Sequence, residues 1–149
     1  FEDNYDQETI RKNFDFYEPM TVHESSLSPC VHVILASQLG YMQKAYELYL
    51  RTARLDLDDY NNDTEDGLHI TSMAGTWMSV VKGFGGMRIR EGKLHFSPFL
   101  PDKWKSYSFR LEFRERVIKI RVSSDGVETR LESGEPIEIV VKDKPVSLR

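Results

Sequence analysis

The chain has 149 residues, 40% of them hydrophobic and 30% charged, and a formal net charge of −4, the balance of a soluble globular protein with room for one ordinary core or two small ones. No apolar run approaches the roughly 20 residues of a membrane-spanning helix, and no basic run is interleaved with aromatics, so neither a membrane nor a nucleic acid is an expected partner. Cys30 is the single cysteine; it cannot form an internal disulfide, and a reducing, cytoplasmic setting is expected. The first residue is Phe1 rather than Met, which suggests a fragment or a processed product.

Charge is unevenly spread. Residues 1–86 hold 6 Lys and Arg against 14 Asp and Glu, a net of −8; residues 87–149 hold 14 against 10, a net of +4. The asymmetry suggests two structural parts, 1–86 and 87–149.

Residues 5–18 read as a helix, capped by Asp6, with Ile10, Phe14 and Tyr17 at helical spacing and Pro19 as its stop. Residues 20–28 carry too many small hydroxyls for a helix interior and read as a loop. Ser28-Pro29 is a helix start, with serine as cap and proline in the first turn. The helix that follows has Val31, Ile34, Leu35 and Leu39 on one stripe and ends at Gly40. A further helix carries Met42, Ala45, Tyr46, Tyr49 and Ala53, so the two form a helical hairpin. Hairpins of this kind build bundles, solenoids and helical barrels, although a complete barrel does not fit in this length.

Residues 56–66 form an acidic, asparagine-rich loop. It resembles a calcium loop in composition, but counting from Asp58 or Asp59 puts neither glycine at position six nor glutamate at position twelve. Ile70, Met73, Ala74, Trp77, Met78 and Val81 then mark the clearest helical stripe in the chain, expected to face a core. Gly83-Phe84-Gly85-Gly86 ends it.

After Gly86 the apolar period becomes two. The runs are Leu94 and Phe96; Tyr107, Phe109, Leu111 and Phe113; Ile118, Ile120 and Val122; Val127, Thr129 and Leu131; and Ile137, Ile139 and Val141. Turn signals at Arg114-Glu115, Ser124-Asp125-Gly126 and Ser133-Gly134 separate them. The expected architecture is helices followed by an antiparallel β-sandwich of jelly-roll type.

Two stretches combine hydroxyls, a histidine and a helix start: Thr21-Val22-His23-Glu24-Ser25-Ser26 and Gly67-Leu68-His69-Ile70-Thr71-Ser72. Unpaired amides at a helix N-terminus beside hydroxyl donors suit phosphate or another tetrahedral anion. Neither stretch matches a P-loop or a dinucleotide fingerprint. Ordinary roles compete: Ser25 and Ser26 as solvating caps, His69 as a structural histidine, Cys30 as a packing residue. His32 falls within a helix and His95 within a strand, and both read as structural. A metal site would require His23, His69 and a carboxylate to converge, for which the spacing offers nothing. No Gly-x-Ser-x-Gly nucleophile elbow exists.

Tyr17-Glu18-Pro19-Met20-Thr21-Val22-His23-Glu24-Ser25-Ser26-Leu27-Ser28-Pro29 resembles a segment of glycoside hydrolase family 65, and Asp66-Gly67-Leu68-His69-Ile70-Thr71-Ser72-Met73-Ala74-Gly75-Thr76-Trp77 resembles a second signature of that family. Gly83-Phe84-Gly85-Gly86-Met87-Arg88 and Leu100-Pro101-Asp102-Lys103-Trp104 also resemble family segments, in the same order. The resemblance implies the final helices of an (α/α)6 barrel over 1–86 and a C-terminal β-sandwich domain over 87–149. It implies an inverting disaccharide phosphorylase, in which a glutamic acid protonates the glycosidic oxygen while inorganic phosphate attacks from the opposite face. That replaces the water and base of an inverting hydrolase with a bound anion.

By the same resemblance, phosphate would be held by Ser25, Ser26 and His69, with Thr71 and Gly67 beside them, and His23 and Thr21 would support the first loop. No catalytic residue is assigned within the chain, because the family's general acid lies upstream of these motifs. No cofactor and no metal is implied; phosphate is a co-substrate. The implied partners are a disaccharide, phosphate, the remainder of the barrel and, for the whole enzyme, a second subunit in a homodimer. A family 65 hydrolase using water and a non-catalytic carbohydrate-binding module are the alternatives.

Overall fold

A computed structural model describes residues 4–149. The chain divides into two compact units, Phe1–Gly83 and Phe84–Arg149. Each has its own logic.

The first unit is helical: α1 Gln7–Tyr17, α2 Ser28–Leu39, α3 Met42–Ala53 and α4 Ile70–Met78. Asp6 caps α1 as the sequence predicts, its Oδ1 accepting from the Thr9 amide at 2.7 Å. Pro19 does not end the helical path at once; a 3-10 turn, Glu18–Met20, carries the chain one turn further. Ile10 and Phe14 are buried, but Tyr17 is exposed. The cap expected at Ser28 falls instead on Leu27, with no side-chain bond; Ser28 is the first residue of α2 and its hydroxyl turns to His23. Gly40, with φ +80°, ends α2, and the Gly40 and Tyr41 amides satisfy the carbonyls of Ser37 and Ala36.

The buried stripe of α2 is Cys30, Val33, Ala36 and Leu39 rather than Val31, Ile34, Leu35 and Leu39. Apolar residues occur all round α2, eight of its twelve positions, so periodicity alone cannot choose a face. On α3 the buried residues are Ala45, Leu48 and Thr52, and Met42 is exposed. The largest reversal is on α4. Ile70, Met73 and Trp77 are 75%, 50% and 51% exposed, while Ser72 and Gly75 are buried. The helix packs on its small side. A side chain at Gly75 would put Cβ 3.0 Å from Cys30 Cβ and 3.3 Å from Thr52 Cγ2, so anything larger than glycine presses on α2 and α3 at this approach. The buried hydroxyls there are satisfied: Ser72 donates to the Thr52 carbonyl at 2.8 Å and Ser79 to the Gly75 carbonyl at 2.8 Å.

From Ser79 to Phe84 the backbone winds as a π-helix, which the sequence reading did not foresee. Within the helical unit, Gly83 abuts Val33, where a Cβ would stand 2.9 Å from Val33 Cγ1.

The second unit has two sheets. One has the order β1-β2-β6-β7, with β1 Arg88–Arg90, β2 Lys93–Phe96, β6 Ile137–Val141 and β7 Lys144–Leu148; the other has the order β3-β4-β5, with β3 Ser106–Phe113, β4 Arg116–Ser123 and β5 Gly126–Ser133. All neighbours pair antiparallel except β2 and β6, which run parallel because the chain visits the other sheet between them. Glu91-Gly92, Arg114-Glu115 and Lys142-Asp143 each hold both residues at positive φ, as type I′ hairpin turns require. Leu94, Phe96, Ile139 and Leu148 from one sheet and Tyr107, Phe109, Ile118, Ile120 and Val122 from the other are buried, and the Phe96 and Phe109 rings meet at 6.2 Å between the sheets. The Tyr107 hydroxyl lies 2.7 Å from the Phe84 carbonyl oxygen and 2.9 Å from that of Phe99, and burial pushes its pKa upward. Helices followed by an antiparallel-rich pair of sheets is the fold class read from the sequence. Among the described residues, no helix is long and apolar enough to cross a membrane.

Candidate functional site

The loop from Thr21 to Leu27 is tied down at several points in the helical unit. Thr21 Oγ1 donates back to the Tyr17 carbonyl at 2.8 Å, which anchors the loop's first residue. His23 adopts φ +57°, a left-handed conformation that non-glycine residues rarely take, and its side chain is buried. Its Nδ1 meets Ser28 Oγ at 2.9 Å, its Nε2 lies 3.5 Å from Glu18 Oε1, and its carbonyl accepts from the Arg51 guanidinium at 2.8 Å. Asn61 of the acidic loop donates to the Glu24 carbonyl at 3.2 Å. The anchors leave Ser25 exposed, where its hydroxyl accepts from the Leu27 amide at 3.3 Å.

Glu18, His23 and His32 bring metal-ligating atoms within 4.8 Å of one another. The Lys44 ammonium, however, sits 2.8 Å from Glu18 Oε1, so a cation there would face an established positive charge. Burial lowers the pKa of both His23 and His32 and keeps them neutral. The cluster serves as an anchor for the loop. The convergence of His23 with His69 and a carboxylate does not form: His23 meets Glu18 and His32, and His69 meets other partners.

The second stretch begins with Gly67 at φ +127°, a conformation open to glycine, and its amide is used internally, donating to the Thr64 carbonyl at 3.2 Å. The His69 and Ile70 amides are also occupied, by Asp56 Oδ2 at 3.0 Å and the Leu68 carbonyl at 3.1 Å. The free amides expected at this helix start are therefore largely committed, and side chains provide what polarity faces outward. Ser26 Oγ and Thr71 Oγ1 lie 3.1 Å apart, which brings the two hydroxyl-bearing stretches together across 45 residues of sequence.

The His69 ring lies between two carboxylates. Nδ1 is 2.6 Å from Asp56 Oδ1 and Nε2 is 3.4 Å from Asp63 Oδ2. The bond to Asp56 is the main cause of a raised His69 pKa; the charge of Asp63 adds to it. The rest of the acidic loop is engaged as well. Asp58 pairs with Arg54 at 2.7 Å, and Asp59 Oδ1 accepts from the Asp63 and Thr64 amides at 3.1 and 3.2 Å. The composition of this loop marks it as polar, but nothing local in the sequence shows that Asp56 and Asp63 address His69. Asp56 lies in the turn three residues past the end of α3, and no local pattern in the sequence aims it at His69.

Comparison with known proteins bears on this arrangement. Residues 1–78 match the glycosyl hydrolase family 65 central catalytic domain, and residues 87–148 match the family's C-terminal domain. The chain is 55% identical, over its full length, to the maltose phosphorylase of Bacillus subtilis (strain 168), covering 20% of that protein. It is 47% identical over 98% of its length to an alpha,alpha-trehalose phosphorylase of Thermoanaerobacter brockii, covering 19% of it. A solved human-microbiome protein assigned as a kojibiose phosphorylase superposes with a TM-score of 0.92 at 38% identity, over 98% of this chain and 22% of that one. The chain thus spans about a fifth of the length of the curated relatives it matches. Two family domains matched in order, relatives that are disaccharide phosphorylases, and a shared fold establish that the chain belongs to glycosyl hydrolase family 65.

Proposed function

We propose that this chain supplies part of the phosphate site of an inverting disaccharide phosphorylase that cleaves an α-glucosidic bond to give β-glucose 1-phosphate. The observation that carries the reading is the meeting of Ser26 and Thr71 at 3.1 Å, which joins the two hydroxyl-bearing stretches on the α4 end that holds His69. In this reading the hydroxyls of Ser25, Ser26 and Thr71 donate to phosphate oxygens, and the His69 imidazolium supplies charge. His23 and Thr21 hold the first loop, and Gly67 shapes the second. Phosphate, so oriented, attacks the anomeric carbon from the face opposite the leaving oxygen. The leaving oxygen takes its proton from a glutamic acid on the remainder of the barrel, a partner this chain requires for turnover. The disaccharide's linkage is chosen there as well, and the whole enzyme is a homodimer in this reading.

A second reading has one observation in its favour. Asp56 and Asp63 stand beside His69, and an inverting hydrolase needs a carboxylate base near its water. Products separate the two. The full-length polypeptide carrying this chain is incubated with maltose, kojibiose, nigerose and trehalose, with and without phosphate. Phosphate-dependent β-glucose 1-phosphate is expected from one of them. Free glucose formed equally well without phosphate overturns the phosphorylase reading.

A further inference from the structure

Asp56 makes two bonds to one residue. Its Oδ1 meets His69 Nδ1 at 2.6 Å and its Oδ2 accepts from the His69 amide at 3.0 Å. Ring and backbone of His69 are therefore gripped by a single carboxylate, which is 15% exposed. With Nδ1 occupied, the ring has one nitrogen left to address a ligand, and Nε2 is the one that Asp63 Oδ2 approaches, at 3.4 Å. That separation is longer than an ordinary N–H···O bond. Asp63 is more exposed, at 36%, and sits in a loop whose turn is set by Asp59 rather than by its own side chain. The two acids thus differ in kind. One is short, sheltered and bidentate; the other is long, half-buried and attached by one oxygen to the open side of the ring.

We propose that Asp56 is the positioning residue that presents His69 Nε2 to phosphate, and that Asp63 is the internal anion that phosphate displaces from it. The proposal rests on the phosphate-site reading above and specifies how that site is held when phosphate is absent. A carboxylate clamp at Nδ1 fixes the direction of Nε2, and in the protonated ring that nitrogen carries an N–H donor aimed at the open side. With Asp56 on Nδ1, the Nε2 side of the imidazolium still lacks an acceptor, and the geometry assigns that part to Asp63. Binding then exchanges one anion for another: the Asp63 carboxylate moves to solvent and a phosphate oxygen takes its place. The charged groups that bear on His69 are Asp56 and Asp63. Glu24, Glu65 and Asp66 are exposed carboxylates of the neighbouring loop stretches, and the α4 side and the Thr21–Leu27 loop contribute the hydroxyls of Thr71 and Ser26.

The two roles predict effects of opposite sign, which a merely structural contribution from either residue would not give. In the full-length enzyme carrying this chain, Asp56→Asn is expected to raise KM for phosphate about ten- to hundredfold, the range for weakening a hydrogen bond to a charged group. It should also move the alkaline limb of the kcat/KM profile for phosphate to lower pH, because the protonated ring loses its main support. Asp63→Asn is expected to lower KM for phosphate about two- to fivefold, the scale of an exposed ion pair. KM for the disaccharide should hold in both, which also reports that the variants are folded. Changes of KM for phosphate in the same direction, or no change in Asp63→Asn, overturn the proposal. His69→Ala separates this failure from the larger one: if phosphate dependence survives that substitution, the site assignment itself is wrong. If it is lost while Asp56→Asn and Asp63→Asn leave KM for phosphate unaltered, only the exchange is wrong.

Discussion

Phe96, Ile118, Ile120 and Ile139 of the strand unit are each 1% exposed or less, whereas Ile70, Met73 and Trp77 on α4 are half or more exposed. The contrast runs through the molecule: of the large apolar side chains left exposed among the described residues, all but Ile89 belong to the helical unit. Two sheets facing each other give every inward side chain a partner from the opposite layer, so a short stretch of chain closes its own core. A row of helices has no second layer. Here the helices touch through Cys30, Ala36, Ala45, Ser72 and Gly75, which are small, and this close approach turns the larger residues of α4 outward. The strand unit is built to be finished alone. The helical unit, which matches the family's central catalytic domain, leaves its larger apolar side chains uncovered among the described residues.

The sharpest way to break this comparison is to separate the units. Residues 84–149 expressed alone should unfold in a single cooperative transition without binding a hydrophobic dye, and residues 1–83 should bind dye and melt gradually. A sharp, dye-silent transition from the helical piece would end the argument. Next in size, Ile120→Ala should cost about 2–5 kcal/mol, as expected for a fully buried isoleucine, while Ile70→Ala should stay within about 0.5 kcal/mol, both by denaturant unfolding of the chain followed by circular dichroism. Gly75→Val tests the close helix approach. Its side chain has to enter the space of Cys30 and Thr52, and a loss of about 1–3 kcal/mol is expected.

The smallest effect is a pH dependence. His23 and His32 have lowered pKa values in the folded chain, so below the ordinary histidine value of about 6.5 the unfolded chain binds protons that the folded one refuses. Their contribution is intact above that value and is lost as pH falls. His69 has the opposite sign: its raised pKa contributes stability that is present at low pH and is lost as pH rises through the folded value. The melting temperature of His32→Gln, measured from pH 7 to pH 5, should therefore fall less steeply than that of the parent. An identical slope would show that His32 is not held neutral.

The same contrast explains what could be read in advance. Alternation along β3, β4 and β6 is legible because each places residues in a core, and β5 shows it as half-buried against exposed positions. β1 is missed because Arg88-Ile89-Arg90 is short and buries nothing, and β7 because it contains Pro145, which a sheet edge tolerates. The helical stripe from Ile70 to Val81 is correct as a stripe, but only Val81 at its end lies in a core, while Ile70, Met73 and Trp77 face outward. Periodicity says which residues share a face, not what covers that face. At the candidate site, two hydroxyl-bearing loops could be singled out because their chemistry is local. The Asp56–His69 bond could not, because it spans 13 residues of irregular loop whose path no local pattern fixes.

Cys30 is 2% exposed, its Sγ is directed at the Leu27 carbonyl at 3.1 Å, and burial pushes its pKa up. A thiol so placed is a poor nucleophile. The contact that lets α4 approach α2 thereby leaves the native chain nearly silent toward maleimides and other thiol labels. One cysteine introduced at an exposed position such as Glu128 would then be the sole reactive handle, and a fluorophore or spin label could be attached there without first removing the natural residue.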